Sequence, residues 1–432
     1  MKRVLIALIL FSLVLSACGL MPTGKAEDEA DKSRLILDST EKTELILVTM
    51  RHPSDKGKME NAIQSAASRF NQQNNHFHVT VVDYLQDGAD GWNKGVRQLN
   101  TEVISGKYPD MVCFSQLSPF PFISKGLLLD MDKCIANDST VADDDLVALT
   151  ALRSFGGLFL LGSNITVDTL VAKQSRFGER YGWTMQEYLE LEAQEDDDVW
   201  IIYNISHDLF LKEVSRRYTR EAIDWEHGIC EFDTVKFVEL LKACSRIQDK
   251  LATEDNELIG LGASFVGEGK MIVAPSMTDQ IYTLARDETF AGEKLSFIGW
   301  PTIDGRCGTD IRFQHPIGII SKSDQIEGCW EFIKYLLQSE PINYGIPIYR
   351  PRLLESIHKA EESEKQYEQM SPEQASRLLS LLDHIENMAI YDDTVIGIIM
   401  DESVDFFAGN RSAEETASII QSKVSLYLSE LQ

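Results

Sequence analysis

The sequence predicts an α/β protein in which parallel strands alternate with covering helices, and three observations carry that prediction. Glu44 to Thr49 is a run of β-type residues. Behind it Met59, Ala62, Ile63, Ala66, Ala67 and Phe70 recur at the three- and four-residue spacing of one helix face, and Val79 to Asp83 is a second β run. Strand, helix and strand in some forty residues form a βαβ unit, whose crossover makes the two strands parallel and puts a helix on the sheet.

The alternation continues along the chain. A helix is expected around Val96 to Ile104, closed by Gly106, and Pro109-Asp110 leads into a strand from Met111 to Ser115. Further strands are expected at Leu158 to Leu161, Trp200 to Asn204, Met271 to Ala274, Leu295 to Ile298 and Ile317 to Ile320. Helices with apolar faces fall at Thr234 to Ile247 and Glu327 to Leu337. The last hundred residues read as mostly helical. Gly409 ends one helix there, and Ser412-x-x-Glu415 is a capping box that starts another, with Ala417, Ile420, Val424, Tyr427 and Leu431 on its buried face.

At 432 residues, and roughly 100 to 200 per domain, the chain suits two or three domains that need no metal or disulfide staples. Its formal charge of −27 disfavours nucleic acid, which is bound by a basic surface, and disfavours adsorption to anionic lipid. The start of the chain offers another route to a membrane. Met1-Lys2-Arg3 precedes an apolar stretch from Val4 to Val14, which is shorter than the roughly 18 residues of a membrane span and has the flanks of a signal peptide. Leu15-Ser16-Ala17-Cys18 resembles the bacterial lipobox, in which the cysteine is lipidated and becomes the mature N-terminus. Residues 1–17 are thus expected to be a lipoprotein signal and residues 18–43, polar and acidic, a flexible tether. The other cysteines, Cys113, Cys134, Cys230, Cys244, Cys307 and Cys329, are widely spaced without a C-x-x-C, and buried thiols are expected rather than disulfides.

Catalytic and metal motifs give little. G-x-S-x-G, H-E-x-x-H and Walker A do not occur. Ser39-Thr-Glu-Lys42 spells S-x-x-K without its companion motifs, and His76-x-His78, which could pair on a metal, has no third ligand nearby and reads more simply as an exposed strand start after Asn74-Asn75. Neither a catalytic residue, nor a metal, nor a cofactor is assigned.

Eight segments in order resemble the extracellular solute-binding proteins of bacterial ABC transporters, specifically the sugar-binding branch related to maltose-binding protein. They are the opening Glu44 to Asp83, Ser105 to Val112 with its Pro109-Asp110, Lys125-Gly126-Leu127-Leu128-Leu129-Asp130, Tyr181 to Tyr188 with its Gly182-Trp183-Thr184, Asp224 to Thr234, Phe297 to Gly305, Ile317 to Ser323, and Gly328 to Leu336. The resemblance implies a two-lobe periplasmic-binding-protein-like fold of type II, with the cleft between the lobes and crossing strands as the hinge. It implies an N-terminal lobe of residues 44–162 plus about 316–355, and a C-terminal lobe of 163–315 plus about 356–432. The implied activity is capture of a carbohydrate, without catalysis, by a monomer held at the extracellular face of the membrane by its lipid and delivering to ABC permease subunits. A glycan-acting lipoprotein hydrolase and a solute sensor for a membrane kinase are the alternatives.

Matching segments place candidate ligand contacts. Arg51, in the loop after the first strand, can clamp a carboxylate or donate to hydroxyls, or can be a plain surface Arg. Gln116 follows the Pro-Asp strand, Asn164 lies at the first crossing, and Gln314 and His315 lie at the second. Asn and Gln supply both donor and acceptor, as a sugar hydroxyl requires, although Asn164 can also cap a turn and Gln314 can be solvated. Replacing Gln314 and Asn164 by Ala is expected to abolish binding and to leave the unliganded melt nearly unchanged. Asn204 follows a strand of the second lobe. Met277 stands where the maltose-binding relative carries a stacking Trp, a departure that puts maltodextrin itself in doubt. Trp300 and Trp92 are the tryptophans outside structural motifs, open to stacking on a sugar ring or, for Trp300, to core packing.

Overall fold

In the computed structural model, residues 42–50, 62–88, 90–254, 256–339 and 345–431 are described. The signal segment, the tether to Glu41, Cys18, Arg51 and the Met59 helix start lie outside them. Twelve strands occur among the described residues: β1 Thr43–Thr49, β2 Phe77–Asp83, β3 Met111–Cys113, β4 Asn164–Lys173, β5 Ile223–Asp224, β6 Ile229–Cys230, β7 Val273–Thr278, β8 Leu295–Phe297, β9 Asp310–Phe313, β10 Ile317–Ile319, β11 Ile346–Pro347 and β12 Asn387–Met388.

The first sheet has the order β10-β3-β1-β2. β1 is parallel to β2 and to β3, and β10 runs antiparallel beside β3. The expected βαβ unit is its start: the helix Ala62–Gln73 buries Ala62, Ile63, Ala66, Ala67 and Phe70 against a strand that buries Leu45, Leu47 and Val48. Phe70 meets the rings of Phe332 and Tyr335 edge-on, which fixes the helix Ile326–Gln338 alongside it.

The second sheet is built on β4, which pairs with β9 and β8 on one side and with β7 and β11 on the other, while β12 continues beyond β9. This central strand lies three residues beyond the strand expected at Leu158 to Leu161, which is an extended segment with one bridge, Leu161 to Ile317. Trp200 to Asn204 is likewise a parallel bridge to Met271 rather than a full strand. Apart from Asp168, β4 is buried on both faces from Asn164 to Ala172, so its Ile165 to Ala172 run lacks two-residue alternation.

Around the second sheet stand the long helix His207–Ala222, the helix Val235–Cys244 capped by Thr234, and a C-terminal pair, Asp393–Phe407 and Ala413–Leu431. The Ser412 box is present: Ser412 Oγ accepts from the Glu415 N–H at 3.2 Å and Glu415 accepts from the Ser412 N–H at 3.1 Å. The six cysteines of the described residues are free thiols, five of them buried.

Candidate functional site

The parallel strands set one edge of the site. β1, β2 and β3 end at the same edge of the first sheet, and in open α/β sheets this carboxyl edge is where ligands gather. Tyr84 N–H donates to the Thr49 carbonyl at 3.0 Å and prolongs the pairing past β2. The helix Gly91–Ile104 begins just beyond, with Trp92 half-buried in its first turn. Past β3 the chain turns through Phe114, Ser115 and Gln116.

Two chain segments pass from this edge to the second sheet, and a third, Gly345 to Ile348, runs beside them. Leu161 to Ile165 pairs with Phe313 to Ile317, through the two bonds between Leu161 and Ile317 (3.0 and 2.7 Å) and the Ile165–Phe313 register. On the other flank Pro347 is in register with Asn164, and Ile348 N–H donates to Ser163 O at 3.2 Å. The packing is close enough to require glycine twice. A Cβ on Gly162 would stand 2.9 Å from the His315 carbonyl oxygen, and Gly345, at φ +121°, would put one 2.8 Å from the Ile165 carbonyl oxygen.

Two side chains tie the first sheet to these crossings. Ser115 Oγ donates to the Gln314 carbonyl at 3.0 Å and lies 3.1 Å from His315 Nδ1, and Cys113 Sγ is 3.2 Å from the same hydroxyl. All three are satisfied when Nδ1 carries the imidazole proton and Ser115 passes its own to Gln314. A serine whose proton is given to a backbone carbonyl is placed to hold a hinge, not to attack a substrate. Burial lowers the His315 pKa and raises that of the Cys113 thiol, so both are neutral at pH 7.

The crossings lead to a wall of mixed character. Because cross-strand partners share a face, Thr166 and Asp168 of β4, Asp310 and Arg312 of β9, and Met277 of β7 all project from the same side of the second sheet. Met277 is 53 % exposed, and the side chains of Arg312 and Asp168 are 51 % and 29 % exposed. Behind them Asp310 is fully buried; its Oδ2 takes Arg217 at 2.5 Å and the Tyr391 hydroxyl at 2.8 Å, while Oδ1 has no hydrogen-bond partner. Burial lifts its carboxyl to about 6 against the pull of Arg217.

No family model matches this chain, and no curated protein does. Solved structures do. The sugar-binding protein MalE from the phytopathogen Xanthomonas citri superposes with a TM-score of 0.57 at 13 % identity, over 90 % of this chain and 98 % of that one. A periplasmic oligogalacturonide binding protein from Yersinia enterocolitica gives 0.54 at 13 % identity, over 90 % and 100 %. An extracellular solute-binding protein of family 1 from Alicyclobacillus acidocaldarius gives 0.53 at 14 % identity, over 90 % and 100 %. This chain has the solute-binding-protein fold.

Within that two-lobe fold the candidate residues separate into two groups. Gln116, Asn164, Gln314 and His315 gather at the crossings, and Met277 stands on the exposed wall. Asn164, however, is only 4 % exposed and its Cβ lies where a Cβ on Gly345 would have to go, 2.9 Å away. Because its amide is buried, replacing it by Ala is expected to lower the unliganded melt as well, a revision of the unchanged melt expected from sequence. Asn204 takes positive φ, and its Oδ1 accepts from the Ala252 N–H at 2.9 Å, a turn-holding task.

Trp300 is 8 % exposed, packed edge-on to Phe210 at 5.8 Å under the Arg217 guanidinium, so the core packing that sequence left open is what it does. Sequence reasoning passed over Asp168 and the buried Arg217–Asp310 pair. Asp168 did leave a signal, as the single acid inside the apolar run Ile165 to Ala172.

Proposed function

We propose that this protein is the solute-binding subunit of an ABC importer, capturing a carbohydrate between its lobes and handing it to the permease without altering it. The observation that carries the reading is the exposed wall of Met277, Asp168 and Arg312 beside a three-segment hinge. A ligand that touches both lobes stabilises their closed arrangement, and one that touches a single lobe does not. The relatives by fold named above include a sugar-binding and an oligogalacturonide binding protein, which favours a glycan.

In this reading the first lobe comprises residues 44–162 plus about 316–355 and the second 163–315 plus about 356–432, with β11 at Ile346–Pro347 adding an edge to the second sheet. Gln116, Gln314, His315 and Met277 line the cleft, and Arg51, outside the described residues, is kept as a further contact on the strength of the sequence alone. Among the described residues no helix is long and apolar enough to cross a membrane. The Leu15-Ser16-Ala17-Cys18 motif is what supports attachment by a lipid on Cys18, with the monomer at the extracellular face of the cytoplasmic membrane.

A thermal-shift panel of neutral and acidic oligosaccharides, with chromatography of each mixture afterwards, tests the proposal. A saturable rise in melting temperature with the sugar recovered intact supports it. Turnover of the sugar, or no shift with any glycan, overturns it.

A further inference from the structure

We infer that Asp168 and Arg312 together read a pair of neighbouring hydroxyls on a neutral sugar, and that the same wall rejects acidic glycans. This rests on the cleft being a glycan site and names the class of glycan it takes. The two residues sit on adjacent strands of one sheet face, Arg312 in register with Thr166 and Asp168 two residues further along β4. Their mutual contact is a single one, from Arg312 Nη2 to Asp168 Oδ2 at 3.5 Å, which is too long to be strong. A guanidinium has five N–H donors and a carboxylate about four acceptor positions, so nearly all of both inventories is unspent at a half-exposed surface.

A sugar hydroxyl donates one proton and accepts at its lone pairs. Two adjacent hydroxyls can therefore donate to Asp168 and accept from Arg312 at once, with Met277 under the C–H face of the ring as a soft apolar support.

The groups behind the wall are paired among themselves, and the acid that stands beside its exposed cation is what works against acidic ligands. Asp310 is in register with Asp168 on the same face, its Oδ1 unpartnered, while its counter-ion Arg217 is held by the Gly308 carbonyl at 2.8 Å as well. Glu213 engages Arg216 at 2.6 Å and Arg217 at 3.6 Å. Of the three arginines near the wall only Arg312 is exposed, and it stands beside Asp168. An incoming carboxylate that reached Arg312 would have the Asp168 carboxylate beside it, at a separation where salt screens their repulsion little, whereas a pair of neutral hydroxyls meets no such repulsion.

The test is calorimetric titration of the wild-type chain, Asp168→Asn and Arg312→Gln with maltotriose, cellotriose, xylotriose and raffinose, and with trigalacturonate. The expected result is binding of at least one neutral sugar, no measurable binding of trigalacturonate, and about 10- to 100-fold weaker neutral-sugar binding in either variant, the loss of one charge-assisted bond. Asp168→Asn should also narrow the gap between neutral sugar and trigalacturonate, which a merely structural role would not do. Should Asp168→Asn fail to fold, Arg312→Gln at its exposed position carries the comparison. Wild-type affinity for neutral sugar in both variants, or tighter binding of trigalacturonate by the wild type, overturns this inference and leaves the glycan reading standing. A wild-type chain that binds no sugar of the panel overturns the inference together with the reading beneath it.

Discussion

On the division into lobes proposed above, an aromatic pair joins the two lobes away from the hinge, and replacing its larger member should loosen them. Phe120 and Trp225 stack at 3.9 Å between ring centroids and 22° between planes, and both are buried. Phe120 falls in the first of these proposed lobes and Trp225 in the second. Phe120 lies beyond β3, meets Phe155 at 5.3 Å, and starts the helix Phe120–Ser124, whose end is held where Phe122 O accepts from Leu127 N–H at 2.9 Å. Trp225 sits in the β5–β6 hairpin, which the C-terminal helix anchors through Gln421, its Oε1 accepting from Phe232 N–H at 2.6 Å and its Nε2 donating to Cys230 O at 2.8 Å.

Opening the cleft must either part these rings or carry the hairpin with the first lobe. A buried indole covers roughly 150–250 Å², and removal of a buried Trp costs about 3–5 kcal/mol, of which the ring–ring contact itself is about 0.5–1.5. If opening parts the rings, Trp225→Ala favours the open form by at least that contact energy, about 2- to 13-fold in the open-to-closed ratio. Wherever the closed form is the minor one, the apparent affinity for ligand falls by nearly the same factor. Small-angle scattering of the unliganded chain should then show a larger radius of gyration in Trp225→Ala, and titration a weaker Kd, with unchanged secondary structure by circular dichroism. A lower melting temperature with unchanged radius and unchanged Kd would refute the reasoning, because it would mean that the hairpin moves with the first lobe.

Three other outcomes follow from particular contacts. Gly345→Ala forces a side chain to φ +121° and to within 2.8 Å of the Ile165 carbonyl oxygen, and should lower unfolding free energy by about 1–3 kcal/mol in urea titration. Asp310→Asn leaves Arg217 buried without its carboxylate and should cost about 3–5 kcal/mol, whereas the double variant Arg217→Met with Asp310→Leu should lose less; equal losses would show that the pair is not coupled. Burial raises the Asp138 pKa, but Lys334 at 2.8 Å, Thr140 and the Trp330 indole N–H at 2.8 Å hold it well below the ordinary 3.8. A carboxylate depressed on folding gives stability that is complete above its unfolded pKa and lost as pH falls toward its native one. The melting temperature of the wild type should therefore drop more steeply below pH 4 than that of Asp138→Asn.

Much of the first sheet was legible because its signals are local. The i, i+3, i+4 face of Ala62 to Phe70, the Pro109-Asp110 entry to β3 and the Ser412 capping box each act within a turn or two of chain, and each stands in the structure. The centre of the second sheet was not legible in the same way. β4 is covered on both faces everywhere but at Asp168 and its last residue, so its apolar run has no two-residue rhythm, and the long helix His207–Ala222 spends polar residues such as Arg217 on buried partners. Asn164 and Trp300 illustrate the limit at the site. Their chemistry suits a sugar, but whether an amide or an indole meets ligand is decided by neighbours such as Gly345, Phe210 and Arg217, some far away in sequence. Arg217 and Asp310 are 93 positions apart, and nothing in local pattern pairs them.

The central claim is capture between two lobes that move. It is tested most directly by small-angle scattering of the chain with and without the oligosaccharide that raises its melting temperature most. A decrease in radius of gyration on saturation, with the sugar recovered unchanged, is the result this account predicts. An unchanged radius at saturating ligand, or conversion of the sugar to product, would contradict it.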